Sequence, residues 1–252
     1  MKKIFKITPI ISLNNSTYNI RIFNTHYFLK LANNHNKNLI KSLEHKNITP
    51  KNIFISNKIL FNKYIDEATL DEKTQNTEEF LRSLSLELNK LHSLHSDNYF
   101  NPFEKIQNNF SYLKERNFPL PADINILLEK FETIQEELSK NIELGLCHND
   151  LNPSNILYKN DKVFLVDFDF IGINDIYYDL AMLSWFLSKN MRKKLLFFYF
   201  GECSTSHLNK LDKYIFIAKL WNASWSYIKS IDSSSCYDYK LGGDMIIEDL
   251  LK

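Results

Sequence analysis

The chain has 252 residues, 44% hydrophobic and 14% aromatic, enough for one large domain or two modest lobes with packed cores. Lys+Arg number 31 against 30 Asp+Glu, a net charge of +1 with the lysines scattered, so neither a polyanion partner nor a nucleic-acid surface is indicated. No stretch approaches the roughly 20 apolar residues of a membrane span, and Cys147, Cys203 and Cys236 lack metal-ligand spacing.

The N-terminal MKKIFKITPIISLNN is too interrupted for a secretory signal, so a soluble cytoplasmic protein is expected. Ile4 to Ala32 alternate as a β-meander: a strand at Phe5–Ile7, one at Tyr18–Phe23, then Tyr27–Leu31 across an Asn24–His26 turn. A helix follows from Asn36 to Lys46 and stops before Pro50. Ile53–Ile55 and Ile59–Ile65 read as two strands about a Ser56–Lys58 turn. Asn76, with Glu79 three residues on, predicts a capped helix running to about His95, with Phe80, Leu84, Leu88, Leu91 and Leu94 facing a core. His92 and His95 have no third ligand nearby, and no metal site is expected there. Asn117–Pro121 is a stiff connector, and Leu127, Phe131, Ile134 and Leu138 mark the next helix.

Further helices are expected over Asp179–Leu187, Met191–Phe200 and about Leu208–Lys229. The last carries Leu211, Tyr214, Ala218, Trp221, Trp225 and Ile228 as one stripe. Gly242-Gly243 reads as a turn before a short terminal helix, and no internal repeat is present.

The informative stretch is Leu146 to Phe170, LCHNDLNPSNILYKNDKVFLVDFDF. It holds His148-Asn149-Asp150, Asn155 five positions later, and Asp167-Phe168-Asp169 after a hairpin-length gap. Asn155–Tyr158 and Val163–Val166 are β-prone, with turn residues Lys159–Lys162 between them. Such a hairpin brings Asn155 and Asp167 to one end. Phosphoryl transfer from a nucleoside triphosphate needs a carboxylate to accept the hydroxyl proton and oxygen ligands for Mg²⁺ at a fixed distance from it. Asp150 is the candidate base, and Asn155 and Asp167 are the candidate metal ligands.

HNDLNPSNIL followed by VDFDFIGINDIYYDLA resembles the catalytic core of the choline kinase and aminoglycoside phosphotransferase superfamily, nearest the bacterial choline kinase type. That resemblance implies an α+β, protein-kinase-like two-lobe fold. A small antiparallel β-rich nucleotide-binding lobe would occupy residues 1–66, and a mainly helical catalytic and acceptor-binding lobe 67–252. It implies Mg²⁺ as cofactor, with Asp169 a further metal ligand, and ATP as co-substrate. His148 and Asp179 would support the catalytic loop, Asp179 from the next helix. Lys30, on the third strand, would grip the α- and β-phosphates. Its usual glutamate partner is missing, since Asn36 and Asn38 fill that slot and Glu44 would face solvent. The phosphate loop, Ser12 to Thr17, has no glycine, and there Asn15 and Ser16 would approach the nucleotide. The backbone of Lys63 to Ile65 would meet the adenine edge.

Trp221 and Trp225, one turn apart, would project together, with Tyr178 and Trp185 as further members of an aromatic cage for a quaternary ammonium. The function this implies is an ATP- and Mg²⁺-dependent kinase of a small alcohol, choline or ethanolamine first. The alternatives are a thiamine or aminoglycoside kinase, or a catalytically silent binding module of the same fold.

Overall fold

A computed structural model describes residues 5–9, 17–31, 36–65, 70–232 and 237–252. In chain order the elements are β1 (Phe5–Pro9), β2 (Thr17–Ile22), β3 (Thr25–Leu31), α1 (Lys37–His45), β4 (Asn52–Ile55), β5 (Ile59–Lys63), α2 (Glu72–Gln75) and α3 (Glu78–His92). There follow α4 (Pro102–Glu115), α5 (Ile124–Leu138), β6 (Leu144–Cys147), β7 (Ile156–Lys159), β8 (Lys162–Leu165) and β9 (Gly172–Asp175). The chain ends in α6 (Tyr177–Ser184), α7 (Lys189–Phe200), α8 (Thr205–Asp232) and α9 (Tyr239–Leu250). It divides into two units, residues 1–93 with 152–169, and residues 94–151 with 170–252.

The first unit is built on an antiparallel sheet of order β1-β2-β3-β5-β4. The β2–β3 hairpin is tighter than expected: Ile22 pairs with Thr25, so Phe23 leaves the strand for a two-residue turn at φ 53°. Asn36 caps α1, its Oδ1 accepting from the Leu39 amide at 3.1 Å, and the helix buries Leu39, Ile40 and Leu43. Asn47 at φ 59° stops it in the left-handed region that asparagine tolerates. Glu44 is half-buried and engaged rather than free in solvent: its carboxylate accepts from the Asn52 amide at 3.0 Å and from Asn52 Nδ2 at 3.3 Å, anchoring the start of β4.

Thr77, not Asn76, caps α3. Asp71 starts the short α2 one turn earlier, and Asn76 closes that turn. Phe80, Leu84, Leu88 and Leu91 are fully buried, and the helix ends at His92, leaving Leu94 beyond it. The β7–β8 hairpin belongs to this unit and packs against α3, with the Phe80 and Tyr158 rings edge to face at 5.3 Å. Its turn is the two residues Asn160-Asp161, at φ 51° and 58°. Two positive φ values in succession make the tight hairpin turn whose twist matches the strands, and Asn and Asp adopt it readily.

The second unit is helical apart from the β6–β9 ribbon, in which Cys147 pairs with Gly172. α8 packs against α4, α6 and α9, which is why it is apolar on more than one face. α4 falls in a stretch where no element was expected. Its signals are present all the same: Asn101 caps it, accepting from Phe103 and Glu104 amides at 3.1 and 3.2 Å, Pro102 opens its first turn, and Ile106, Phe110 and Leu113 are buried.

Gly242 and Gly243 lie inside α9 rather than in a turn. A Cβ on Gly243 would sit 2.6 Å from Tyr227 Cε1, a ring that is itself fully buried. Close helix packing, not chain reversal, therefore requires that glycine. Gly243→Ala is expected to destabilise the chain by about 1–3 kcal/mol despite the better helix propensity. Gly242→Ala meets only the hydroxyl end of exposed Tyr237, which can turn outward, and is expected to be neutral or stabilising by up to about 1 kcal/mol. Thermal melts of the two variants test the contrast, and equal shifts would refute it.

Candidate active site

In the first unit the hairpin positions the metal-ligand candidates. Ile156 pairs with Leu165, and one step further the Val166 amide donates to the Asn155 carbonyl at 3.0 Å. Asn155 and Asp167 thus flank the last rung, at the same end. Asp167 takes φ 67°, a left-handed conformation uncommon outside glycine, which turns the chain directly after β8. Asp167 and Asp169 both reach Lys30 on β3, whose Nζ lies 2.5 Å from Asp167 Oδ1 and 2.7 Å from Asp169 Oδ1. Lys30 is 7% exposed, paired across the sheet with Thr17 on one side and Leu60 on the other.

Burial alone would lower the Lys30 pKa. The Asp167 and then Asp169 carboxylates outweigh that and hold the ammonium above its usual range. The lysine's partner, which no helix glutamate supplied, is this aspartate pair. The Asp167 and Asp169 carboxylates lie together at Lys30, and carboxylate oxygens suit a hard divalent cation such as Mg²⁺.

In the second unit the His148–Asp150 loop is held from behind by Asp179. Its buried carboxylate accepts from the His148 amide at 2.7 Å and the Asn149 amide at 2.8 Å. Asn149, passed over in the sequence, is the hub of this loop. It sits at φ 64°, and its Nδ2 donates to the carbonyls of Cys147, Phe170 and Gly172 at 3.1, 2.9 and 3.1 Å. Its Oδ1 accepts from Asn174 at 2.9 Å. The only signal for it was an asparagine at a loop position, which tolerates positive φ. Asp150 follows, half-buried, its amide donating to His148 Nδ1 at 3.3 Å.

The aromatic candidates separate. Trp221 packs on Phe100 and Phe170, with centroids 5.8 and 5.4 Å away, and Tyr178 joins through Phe100 at 5.7 Å. The Tyr178 hydroxyl is buried with no hydrogen-bond partner among the described residues. Burial, then the Asp150 and Asp179 charges, push its pKa up. Trp225 instead meets Tyr239 of α9 at 5.9 Å and carries the Lys229 ammonium over its face at 5.4 Å. Trp185 stacks on Phe186 at 5.3 Å beneath Lys219. Trp221 and Trp225 therefore part company: four residues along α8, one meets Phe100 and Phe170 and the other meets Tyr239 of α9. Phe100 and Phe170 were missed in the sequence, where single phenylalanines carry no signal.

Of the nucleotide-binding candidates, Asn15 and Ser16 lie outside the described residues. Lys63 ends β5 opposite Tyr27, and Ile65 follows it half-buried. Cys147 is fully buried at the root of the His148–Asp150 loop. Burial, then the Asp179 and Asp175 carboxylates, raise its thiol well above the ordinary range. Less thiolate means less reactivity. Iodoacetamide at pH 8 is expected to label partly exposed Cys203 in the folded chain and leave Cys147 untouched. Peptide mass mapping reads the result, and labelling of Cys147 in folded protein would contradict it.

The phosphotransferase enzyme family model matches residues 15–202. Protein LicA of Haemophilus influenzae is 32% identical over 134 residues, spanning 49% of this chain but 39% of that protein. The chain therefore matches less than half the length of that curated relative. Among solved structures, a choline/ethanolamine kinase family protein from Mesorhizobium loti superposes with TM-score 0.84 at 18% identity, covering 98% of this chain and 87% of that one. The choline kinase LicA from Streptococcus pneumoniae gives TM-score 0.81 at 19% identity, covering 98% and 93%. At those identities the likeness shows a shared kinase-like α+β fold. With three quarters of its length inside the family match, the chain belongs to the phosphotransferase enzyme family.

Proposed function

We propose that the chain is an ATP- and Mg²⁺-dependent kinase that phosphorylates the hydroxyl of a small alcohol, choline or ethanolamine first. The observation that carries this reading is the convergence of Asn155, Asp167, Asp169 and Lys30 at one end of the β7–β8 hairpin. Asn155, Asp167 and Asp169 are the residues that would hold the metal, and the donor set fits, being oxygen throughout. Bound there, Mg²⁺ would offset charge on the β- and γ-phosphates. Residues 1–66 would carry most of the nucleotide contacts. Lys30 would hold the α- and β-phosphates, Asn15 and Ser16 would approach them, and the backbone at Lys63 and Ile65 would face the adenine.

Asp150 would accept the acceptor's hydroxyl proton as that oxygen bonds to the γ-phosphorus and ADP departs. His148 and Asp179 keep Asp150's loop in place. Phe170, half-buried, would present ring surface to an alkylammonium group, backed by the buried rings of Trp221, Phe100 and Tyr178. Trp225 and Trp185 already carry Lys229 and Lys219 over their faces, so a cationic acceptor would have to displace an ammonium to stack on either.

A coupled ADP-release assay with Mg·ATP against choline, ethanolamine, thiamine and kanamycin tests the reading. Turnover is expected with choline or ethanolamine. Turnover on kanamycin alone would overturn the acceptor assignment, and silence on all four with nucleotide still bound would favour a non-catalytic binding module.

A further inference from the structure

The first unit carries a groove of about 690 Å³ between α1, β4 and β8, within the size range of small-molecule sites. Lys30, Asn155, Asp167 and Asp169 are not among its lining residues, so the proposed chemistry leaves it unexplained. Lys41, His45, Lys51 and Lys162 line it, against the single carboxylate of Glu44. That carboxylate is already engaged by the amide and Nδ2 of Asn52. Lys41, Lys51 and Lys162 form no ion pair among the described residues, whereas Lys140, Lys219 and Lys240 each pair with a carboxylate. The groove is thus a concentration of uncompensated positive charge on a chain whose net charge is only +1.

Part of its wall is apolar, formed by Ile53, Phe54, Ile55 and Phe164. A register shift between Asn52 and Phe54 breaks the strand alternation, and Ile53 and Phe54 are 57% and 53% exposed there. Phe164 faces the same groove, with the Lys162 ammonium 4.5 Å from its ring centroid. Exposed ring and aliphatic surface beside unpaired ammonium groups favours a flat apolar body joined to an anion. A neutral sugar gains little from the cations, and a polycation is repelled by them.

We propose that this groove is a second small-molecule site, taking an aromatic or heteroaromatic compound that bears a phosphate or comparable dianion. The proposal stands independently of the kinase reading.

The test uses the full chain, isotopically labelled, titrated with phenyl phosphate and separately with phenol and inorganic phosphate. Saturable amide shifts are expected at Ile53–Ile55 and Lys162–Phe164, with phenyl phosphate binding at least about ten-fold tighter than either half alone. Lys41→Gln combined with Lys162→Gln, both at exposed positions, is expected to weaken that binding about ten-fold. Lys30→Met should leave the groove shifts unchanged, which separates this site from the nucleotide site. No saturation at the groove, shifts confined to the Lys30 and Asp167 region, or equal binding of phenyl phosphate and inorganic phosphate would each overturn the proposal. So would concentration-dependent self-association that covers β4, the edge strand, and abolishes the response.

Discussion

Asp150→Asn is expected to lower kcat for phosphoryl transfer to choline by about 10³-fold, the middle of the range for a lost general base, with the melting temperature nearly unchanged. The substitution keeps the side chain's shape and removes its basicity. The loop around it is held by other groups: the Asp179 carboxylate on two backbone amides, and the Asn149 amide on three carbonyls. Asp150 contributes its own backbone N–H to His148 Nδ1, and asparagine retains that bond. KM for ATP is expected to stay within a few-fold, because Lys30 and the aspartate pair are untouched. ADP release and a thermal melt on the same preparation measure both halves. Activity within ten-fold of the parent would remove Asp150 from the role of base.

Asp179→Ala is expected to be the most damaging single change to stability. The carboxylate is fully buried and takes two short hydrogen bonds, at 2.7 and 2.8 Å, from backbone donors that are buried too. Alanine leaves both donors without that acceptor, at about 1–3 kcal/mol each. Relief of a buried charge returns part of that cost, for a net loss of roughly 3–4 kcal/mol, or about 10 °C in Tm for a chain of this size. Asp179→Asn keeps one acceptor oxygen but turns an NH₂ toward the other amide, so about half the loss is expected. Differential scanning calorimetry distinguishes the two. An alanine variant that melts within about 2 °C of the parent would mean that water or a shifted backbone replaces the carboxylate.

The elements legible in the sequence were those with a strict period or a strong turn signal. α3 and α5 showed apolar residues at helical spacing, α1 was bounded by Pro50, and the β7–β8 hairpin showed two β-prone runs around the Lys159–Lys162 turn. The arrangement of Asn155 and Asp167 at one hairpin end followed from the hairpin alone, since strand pairing is a local matter. What was not legible depended on partners distant in sequence. Asn76 and Thr77 are both able to cap, and only the preceding short α2 decides between them. Gly242-Gly243 reads as a turn until Tyr227 is known to press on the helix. Lys30 found its carboxylates 137 and 139 residues away, where no spacing rule reaches. Trp221 and Trp225 look equivalent on a helical wheel and differ only in what α9, Phe100 and Phe170 bring to each.

The first unit takes its residues from two stretches, 1–93 and 152–169, and that interruption bears on biosynthesis. Leu165 donates its amide to the Ile48 carbonyl at 2.8 Å, and Tyr158 covers Phe80, so α1 and α3 wait for a hairpin made long after them. At ribosomal rates of about 5–20 residues per second, the apolar stripe of α3 stays uncovered for roughly 4–15 s. A nascent chain stalled within that interval is a natural client for a holdase chaperone, and a fragment ending at residue 93 should not fold unaided.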